Sequence, residues 1–187
     1  MRLAGFVLTV LALALAGGAQ AQGWIEYISR QDRFHIIFPA EPKVEDAEWI
    51  SADDLPLPAR RYSAEQGANR YAITVANYES AEFTTMRGSI AHTAAAFRRR
   101  GEVTLDDYAQ LDRIEGLQLQ IALPGGRELY VALYLYGNLL YVTEAEVPPG
   151  SPRATIFQHS LSIIDENGIR VRYNRDGTRN FDRQLGE

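Results

Sequence analysis

Glu144 and Glu146 stand two positions apart in the run LLYVTEAEV, so on a β-strand both carboxylates project from one face, about 7 Å apart. That separation suits the acid and base of glycoside hydrolysis and makes this pair the best catalytic candidate in the chain. Neighbours on one strand diverge little and bring no cleft of their own, so an exposed strand end is the competing reading, since geometry comes first. The three histidines, His35, His92 and His159, have no motif neighbours. His92 has no second histidine four residues away to make a metal pair, and His159 gains nothing from adjacency to Ser160. Asp53 and Asp54 offer oxygens to a divalent cation, but without the spacing of a calcium loop. Cysteine is absent, and so are a G-x-S-x-G elbow, a Walker loop and a dinucleotide glycine pattern. The expectation is therefore a protein that is not an enzyme and carries no metal or cofactor.

Two features point to binding instead. In RELYVALYLYGNLLYVTEAEV, alternation places Tyr130, Tyr134, Tyr136 and Tyr141 on one side of a ribbon. Left open, those rings would form an aromatic groove for a peptide, glycan or partner strand. Covered, with their hydroxyls at the rim, they would be ordinary packing. The other feature is Arg98-Arg99-Arg100, the one basic cluster, readable as an anion or partner docking spot or as cations favoured by the negative end of a helix dipole. Three adjacent arginines point in three directions around a helix, which weakens the docking reading.

The elements that must carry these residues follow from periodicity. Gly137-Asn138 tolerates the positive φ of a two-residue hairpin loop, which pairs Tyr136 with Leu139, Leu135 with Leu140, Tyr134 with Tyr141 and Leu133 with Val142. The opposite face then collects Leu129, Val131, Leu133, Leu135, Leu140 and Val142. At roughly 2 kcal/mol per large buried side chain, these six are worth about 12 kcal/mol, comparable to the net stability of a whole domain, so a helix or second sheet must cover them. Strands are expected at 24–28, 33–38, 44–50, 59–64 and 70–78, and a meander from 102–112 through 113–123 into the hairpin. On 70–78, Ala72, Thr74 and Ala76 leave room for a helix to sit close. Met86, Ile90, Ala94 and Phe97 recur at helical spacing over 85–100, with Thr85 as cap and Gly101 as left-handed terminator. A second helix is expected from Ser151 with Pro152 in its first turn, burying Ala154, Ile156, Phe157, Ser160, Leu161 and Ile164 over part of the hairpin.

The ends and the bulk set the context. Met1-Arg2, an apolar run from Leu3 to Ala16 and the small-x-small Ala19-Gln20-Ala21 read as a signal peptide over 1–21 that is removed, giving a periplasmic or secreted chain with no membrane span left. The apolar run is shorter than the ~20 residues that span a bilayer. Removal of residues 1–21 from the 187 leaves about 165, enough for a single domain over 23–165 to build a core without disulfides. Residues 166–187 alternate briefly and then carry balanced charges, the pattern of an edge strand or partly disordered extension. The net charge of -5 argues against nucleic acid as a partner.

The order of these elements resembles a known family. FHIIFPAEP near the start, a helix in mid-chain, a meander closing on LLYVTEAEVPPG and a final FQHSLSII resemble the PsbP/Mog-like α/β sandwich superfamily and its bacterial secreted relatives. The resemblance implies an α+β fold with a central antiparallel β-sheet flanked by helices (an α/β/α sandwich), and a role in binding or assembling other proteins at or near a membrane. The functional expectation is thus an exported noncatalytic binding or assembly protein of the bacterial cell envelope, its partner unknown. A carboxylate-dependent envelope hydrolase and a divalent-cation-binding periplasmic protein are the alternatives.

Overall fold

Alternation of side chains every second residue governs most of the chain, and the computed structural model, which describes residues 23–181, is correspondingly dominated by antiparallel strands. In chain order they are β1 (Ile25–Ser29), β2 (Phe34–Phe38), β3 (Lys43–Ile50), β4 (Pro56–Gln66) and β5 (Asn69–Asn77), then helix α1 (Phe83–Arg98). After it come β6 (Glu102–Leu111), β7 (Ile114–Ala122), β8 (Glu128–Tyr136), β9 (Leu139–Val147), the one-turn helix α2 (Thr155–His159), β10 (Ser162–Ile163), β11 (Arg172–Tyr173) and β12 (Arg179–Asn180). The expected signal peptide lies outside the described residues.

Seven strands form the main sheet in the order β3-β4-β5-β9-β8-β7-β6. The hairpin stands at its centre in the anticipated register, Tyr136 opposite Leu139 and Leu133 opposite Val142, with Gly137 at φ +59 supplying the one left-handed residue of its loop. The meander β6-β7-β8-β9 keeps sequence order. The register of β6 on β7 shifts at Thr104, between Val103 and Leu105, and runs on unbroken through Asp106 and Asp107.

Each face of the sheet has its own cover. α1 packs on the aliphatic face, where Ala94 and Phe97 join Leu119, Ile121, Leu129, Val131, Leu133, Leu140 and Val142. The other face is covered mainly by a small sheet in the order β1-β2-β10, which together with α2 puts Phe34, Ile36, Phe38, Phe157 and Ile163 against Tyr62, Tyr71, Tyr130, Tyr134 and Tyr141. A symmetric helix-sheet-helix arrangement is therefore not what forms: one face takes a helix and the other takes a sheet with one helical turn.

The second helix is the largest departure from the periodicity reading. It lasts five residues, leaves Ile156 65% exposed, and gives way to β10, which pairs with β2. Leu161 and Ile164 are buried as the helical stripe required, but from backbone outside the helix, and Ile163, which the stripe left out, is buried beside them, because short apolar runs fit either period. α1 begins at Phe83 with Glu82 as N-cap and no side-chain cap bond; Thr85 lies inside the helix and gives its hydroxyl to Asp53. Gly101 is not left-handed. A Cβ there would stand 2.2 Å from the carbonyl oxygen of Ala122, so glycine is needed for the close passage of the chain over β7.

Residues 166–181 include the β11-β12 hairpin and are tied back. Val171 is fully buried, Arg170 bonds Asp112 at 2.7 Å, and Arg113 donates to the carbonyl of Arg175 at 3.0 Å. These contacts brace the Asp112-Arg113 turn between β6 and β7, where both residues hold positive φ (49 and 72) without being glycine.

Candidate functional site

α1 lies over β7 and β8, and beside it the same face of the sheet, over β3, β4, β5 and the end of β9, carries charge. Register decides what meets there. Ser63 of β4, Ala72 of β5 and Glu144 of β9 form one cross-strand row, and Glu65, Arg70 and Glu146 the next. Because Ala72 and Thr74 are small, Arg61 can lie across β5. Its Nη1 donates to Thr74 at 3.1 Å and to Glu144 Oε1 at 2.6 Å. Glu144 Oε2 accepts Arg100 Nη1 at 3.0 Å, from the chain just past α1. Glu146 Oε1 accepts Nε of Arg127 and lies 3.5 Å from Arg70 Nη1, and Arg70 Nε stands 3.5 Å from Glu65. Arg127 is anchored further by the carbonyls of Ala68 at 2.8 Å and Glu146 at 3.2 Å.

The result is a two-layer lattice. The carboxylates sit low, 17% and 20% exposed, and four guanidiniums sit above and around them. Both carboxylates and three of the arginines, Arg61, Arg70 and Arg100, line a cleft of about 520 Å³, whose lining also includes Glu41, Lys43 and Glu65. An arginine carries five N–H donors, and Arg61, Arg70 and Arg100 each commit only some of them to these carboxylates, which leaves donors at the lining of the cleft.

This arrangement does not suit Glu144 and Glu146 as acid and base. Both oxygens of Glu144 are occupied by guanidiniums, and Oε1 of Glu146 meets two more, so both carboxylates are engaged as ion-pair acceptors. Their role here is to hold arginines in place.

The tyrosine groove is overturned. Tyr130, Tyr134 and Tyr141 are 3%, 4% and 0% exposed, and Tyr136 is half-buried and packed against the same core. The rings are covered because β1, β2 and β10 fold onto this face from both ends of the domain. Hydroxyls at the rim are paired: Tyr130 donates to Glu128 at 2.6 Å, Tyr141 to the carbonyl of Arg33 at 3.3 Å, and Tyr136 accepts from Arg179 at 3.1 Å. Burial, then the Glu128 carboxylate, push Tyr130 up to about 12. Burial raises Tyr134, Tyr136 and Tyr141 as well, so all four stay neutral.

The arginine triplet is no single patch either. Arg98 turns to Asp106 of β6 (2.6 and 3.0 Å), Arg99 forms no ion pair among the described residues, and Arg100 stacks on Phe97 and joins the lattice. Asp53 is engaged by Thr85, and Asp54 occupies a left-handed turn position at φ 57. Among the described residues no group of three or more histidine, cysteine, aspartate or glutamate side chains converges as metal ligands, and no helix is long and apolar enough to cross a membrane.

One network escaped the sequence reading. Asp32 accepts Tyr62 Oη at 2.5 Å and Arg60 Nη1 at 2.9 and 3.1 Å, while Ser29 Oγ lies 2.9 Å from the same hydroxyl. Burial and the hydrogen bond to Asp32 push Tyr62 up to about 12, which keeps it a donor. The network clamps the β1-β2 turn to β4. Its members lie about thirty residues apart, and no local pattern joins them.

No family model and no curated protein matches this chain. Among solved structures, cyanobacterial PsbP (CyanoP) from Synechocystis sp. PCC 6803 aligns over 81% of this chain and 99% of its own, with TM-score 0.51 and 13% identity. A protein of unknown function from Pseudomonas aeruginosa, PA94, aligns over 67% and 83% with TM-score 0.31 and 11% identity, too distant to carry an argument. The chain has a PsbP-like α+β fold, mostly antiparallel sheet with two helices, and at such identity the likeness extends to fold alone.

Proposed function

We propose that this chain is an exported, noncatalytic binding or assembly protein of the bacterial cell envelope, related to the PsbP/Mog-like superfamily and its secreted members, and that it holds a partner polypeptide in the arginine-glutamate cleft. The observation that carries the reading is the lattice: Glu144 and Glu146 fix four arginines in place, and three of them, Arg61, Arg70 and Arg100, line an open cleft. Side chains already ordered lose less entropy when a partner docks, and planar guanidiniums match the carboxylates of a polypeptide surface. Export rests on the Met1 to Ala21 pattern.

The test is crosslinking capture from an envelope fraction with tagged full-length chain, run beside Arg61→Glu/Arg70→Glu, at lattice side chains 41% and 64% exposed. Mass spectrometry of the purified chain should find an N-terminus at Gln22. A specific partner recovered by the native chain and lost with the charge reversal supports the cleft. Equal recovery by both moves the interface elsewhere, and an uncleaved N-terminus refutes export.

A further inference from the structure

The main sheet ends on two strands, β3 and β6, and they are not alike. On β6 the register shifts at Thr104, whose hydroxyl donates to the carbonyl of Gln120, so that edge is irregular. β3 has no such break. Its eight residues pair with β4 in unbroken register from Lys43 opposite Ser63 to Ile50 opposite Pro56, no proline interrupts them, and all but Trp49 are exposed. Among the described residues no strand pairs with its outer side. A regular edge of this kind presents a row of backbone N–H and C=O groups to which another strand can add.

The side chains on this edge select what can add. Trp49 packs toward α1, so alternation puts Val44, Asp46, Glu48 and Ile50 on the opposite face. Their order is apolar, acidic, acidic, apolar: Val44 and Ile50 are 45% and 47% exposed, and the Asp46 side chain is 89% exposed. Arg60 reaches Asp46 at 3.3 Å but is already committed to Asp32 at 2.9 and 3.1 Å, and Glu48 forms no ion pair among the described residues. Negative charge therefore stands between two open apolar contacts. The same charge works against a second copy of this chain. With all eight residues of two β3 strands paired about a two-fold axis, Glu45 would stand opposite Glu48 twice, and β6, with Glu102, Asp106 and Asp107, brings more acids. Like charges directly opposite destabilise a strand pair.

We propose that β3 accepts an added strand from another polypeptide, one that carries apolar, basic, basic and apolar side chains at alternate positions. Val44 and Ile50 meet the apolar residues, and Asp46 and Glu48 meet the basic ones. Backbone bonds along the edge supply affinity, and these four cross-strand pairs supply the choice of partner. This interface goes beyond the arginine cleft and does not depend on it: it uses the other face of the sheet and charge of the opposite sign.

The experiment is a nitrogen-15 NMR titration of the purified chain with a blocked peptide in which valine, lysine, lysine and valine alternate with threonine, beside the same peptide with glutamate for lysine. The amides from Val44 to Ile50 should shift saturably with the lysine peptide and exchange their protons more slowly. Each opposed charge pair is worth about 1.4-fold to fivefold in affinity, so the glutamate peptide, which turns two attractions into two repulsions, should bind roughly tenfold or more weakly. Asp46→Lys/Glu48→Lys, at exposed positions, should reverse that preference, an outcome that also shows the variant to be folded. Arg61→Glu/Arg70→Glu should retain binding of the lysine peptide. N-methylation of the peptide on alternate residues should abolish binding in one phase and spare it in the other, because only one edge of the added strand meets β3. No saturable shift, equal affinity for the two peptides, a preference that survives the charge reversal, loss of binding in Arg61→Glu/Arg70→Glu, or equal binding by both methylated phases would each overturn the proposal.

Discussion

Glu144→Gln tests whether the lattice is a built feature. The carboxylate is 17% exposed and takes Arg61 at 2.6 Å and Arg100 at 3.0 Å, guanidiniums that are themselves 41% and 39% exposed. Fully exposed pairs contribute about 0.2–1 kcal/mol, and truncating one partner of a buried pair costs about 3–5 kcal/mol. With solvent reaching both arginines, the lower figure weighs more, and we expect a loss of roughly 1–2 kcal/mol. Glutamine keeps one acceptor for one arginine and turns an amide N–H toward the other, donor against donor. It should therefore cost more than Arg61→Gln or Arg100→Gln, each expected near 0.5–1 kcal/mol. Urea denaturation of a Glu144→Ala/Arg61→Ala cycle should show a coupling of about 0.5–1 kcal/mol that shrinks as salt rises, because screening shortens from about 10 Å at 0.1 M to about 3 Å at 1 M. Single substitutions that add within about 0.3 kcal/mol at low salt would mean that the arginines are not held by Glu144, and the argument for an ordered docking surface would fail.

Three further outcomes follow from the geometry. His35 is buried with neither ring nitrogen hydrogen-bonded; burial and then the Arg170 charge lower its pKa from 6.5, against a partial raise from Glu26. The unfolded chain therefore takes the proton more readily, so this contribution to stability is complete above pH 6.5 and lost as the pH falls below it; His35→Leu should flatten that part of the stability profile, and an unchanged profile would remove His35 as the cause. Gly101→Ala drives a Cβ to 2.2 Å from a backbone carbonyl, which should cost about 1–3 kcal/mol in thermal unfolding, while Gly88→Ala, with open space around it, should be neutral or stabilising by up to about 1 kcal/mol. Mild tyrosine nitration followed by peptide mass spectrometry should modify Tyr108, 59% exposed, well before Tyr130, Tyr134 or Tyr141; early modification of those three would reopen the aromatic groove.

Local information went a long way in this chain because its dominant signal has period two. Alternation and the Gly137-Asn138 loop were enough to set the hairpin register, the two faces of β5 and β9, and the need for a cover on the leucine side. The seat of α1 was legible from Met86, Ile90, Ala94 and Phe97, since four apolar residues at helical spacing fit no strand. Where local signal was short it misled: the run from Ala154 to Ile164 satisfies a helical stripe, and only the free edge of β2, some 125 residues earlier, draws Ser162 and Ile163 into a strand.

The candidate site lay beyond any reading along the chain. Glu144 and Glu146 could be placed on one face, but their partners Arg61, Arg70, Arg100 and Arg127 come from β4, β5, the chain just past α1 and the residue before β8. What brings them together is the pairing of β5 with β9, which depends on the whole sheet closing in one order. The tyrosines show the same division: their common face followed from alternation, whereas their burial depended on the first two strands returning to cover it. Side-chain direction is a property of one residue and its neighbours, but contact across a sheet is a property of register, and register is settled only when distant strands compete for the same hydrogen bonds.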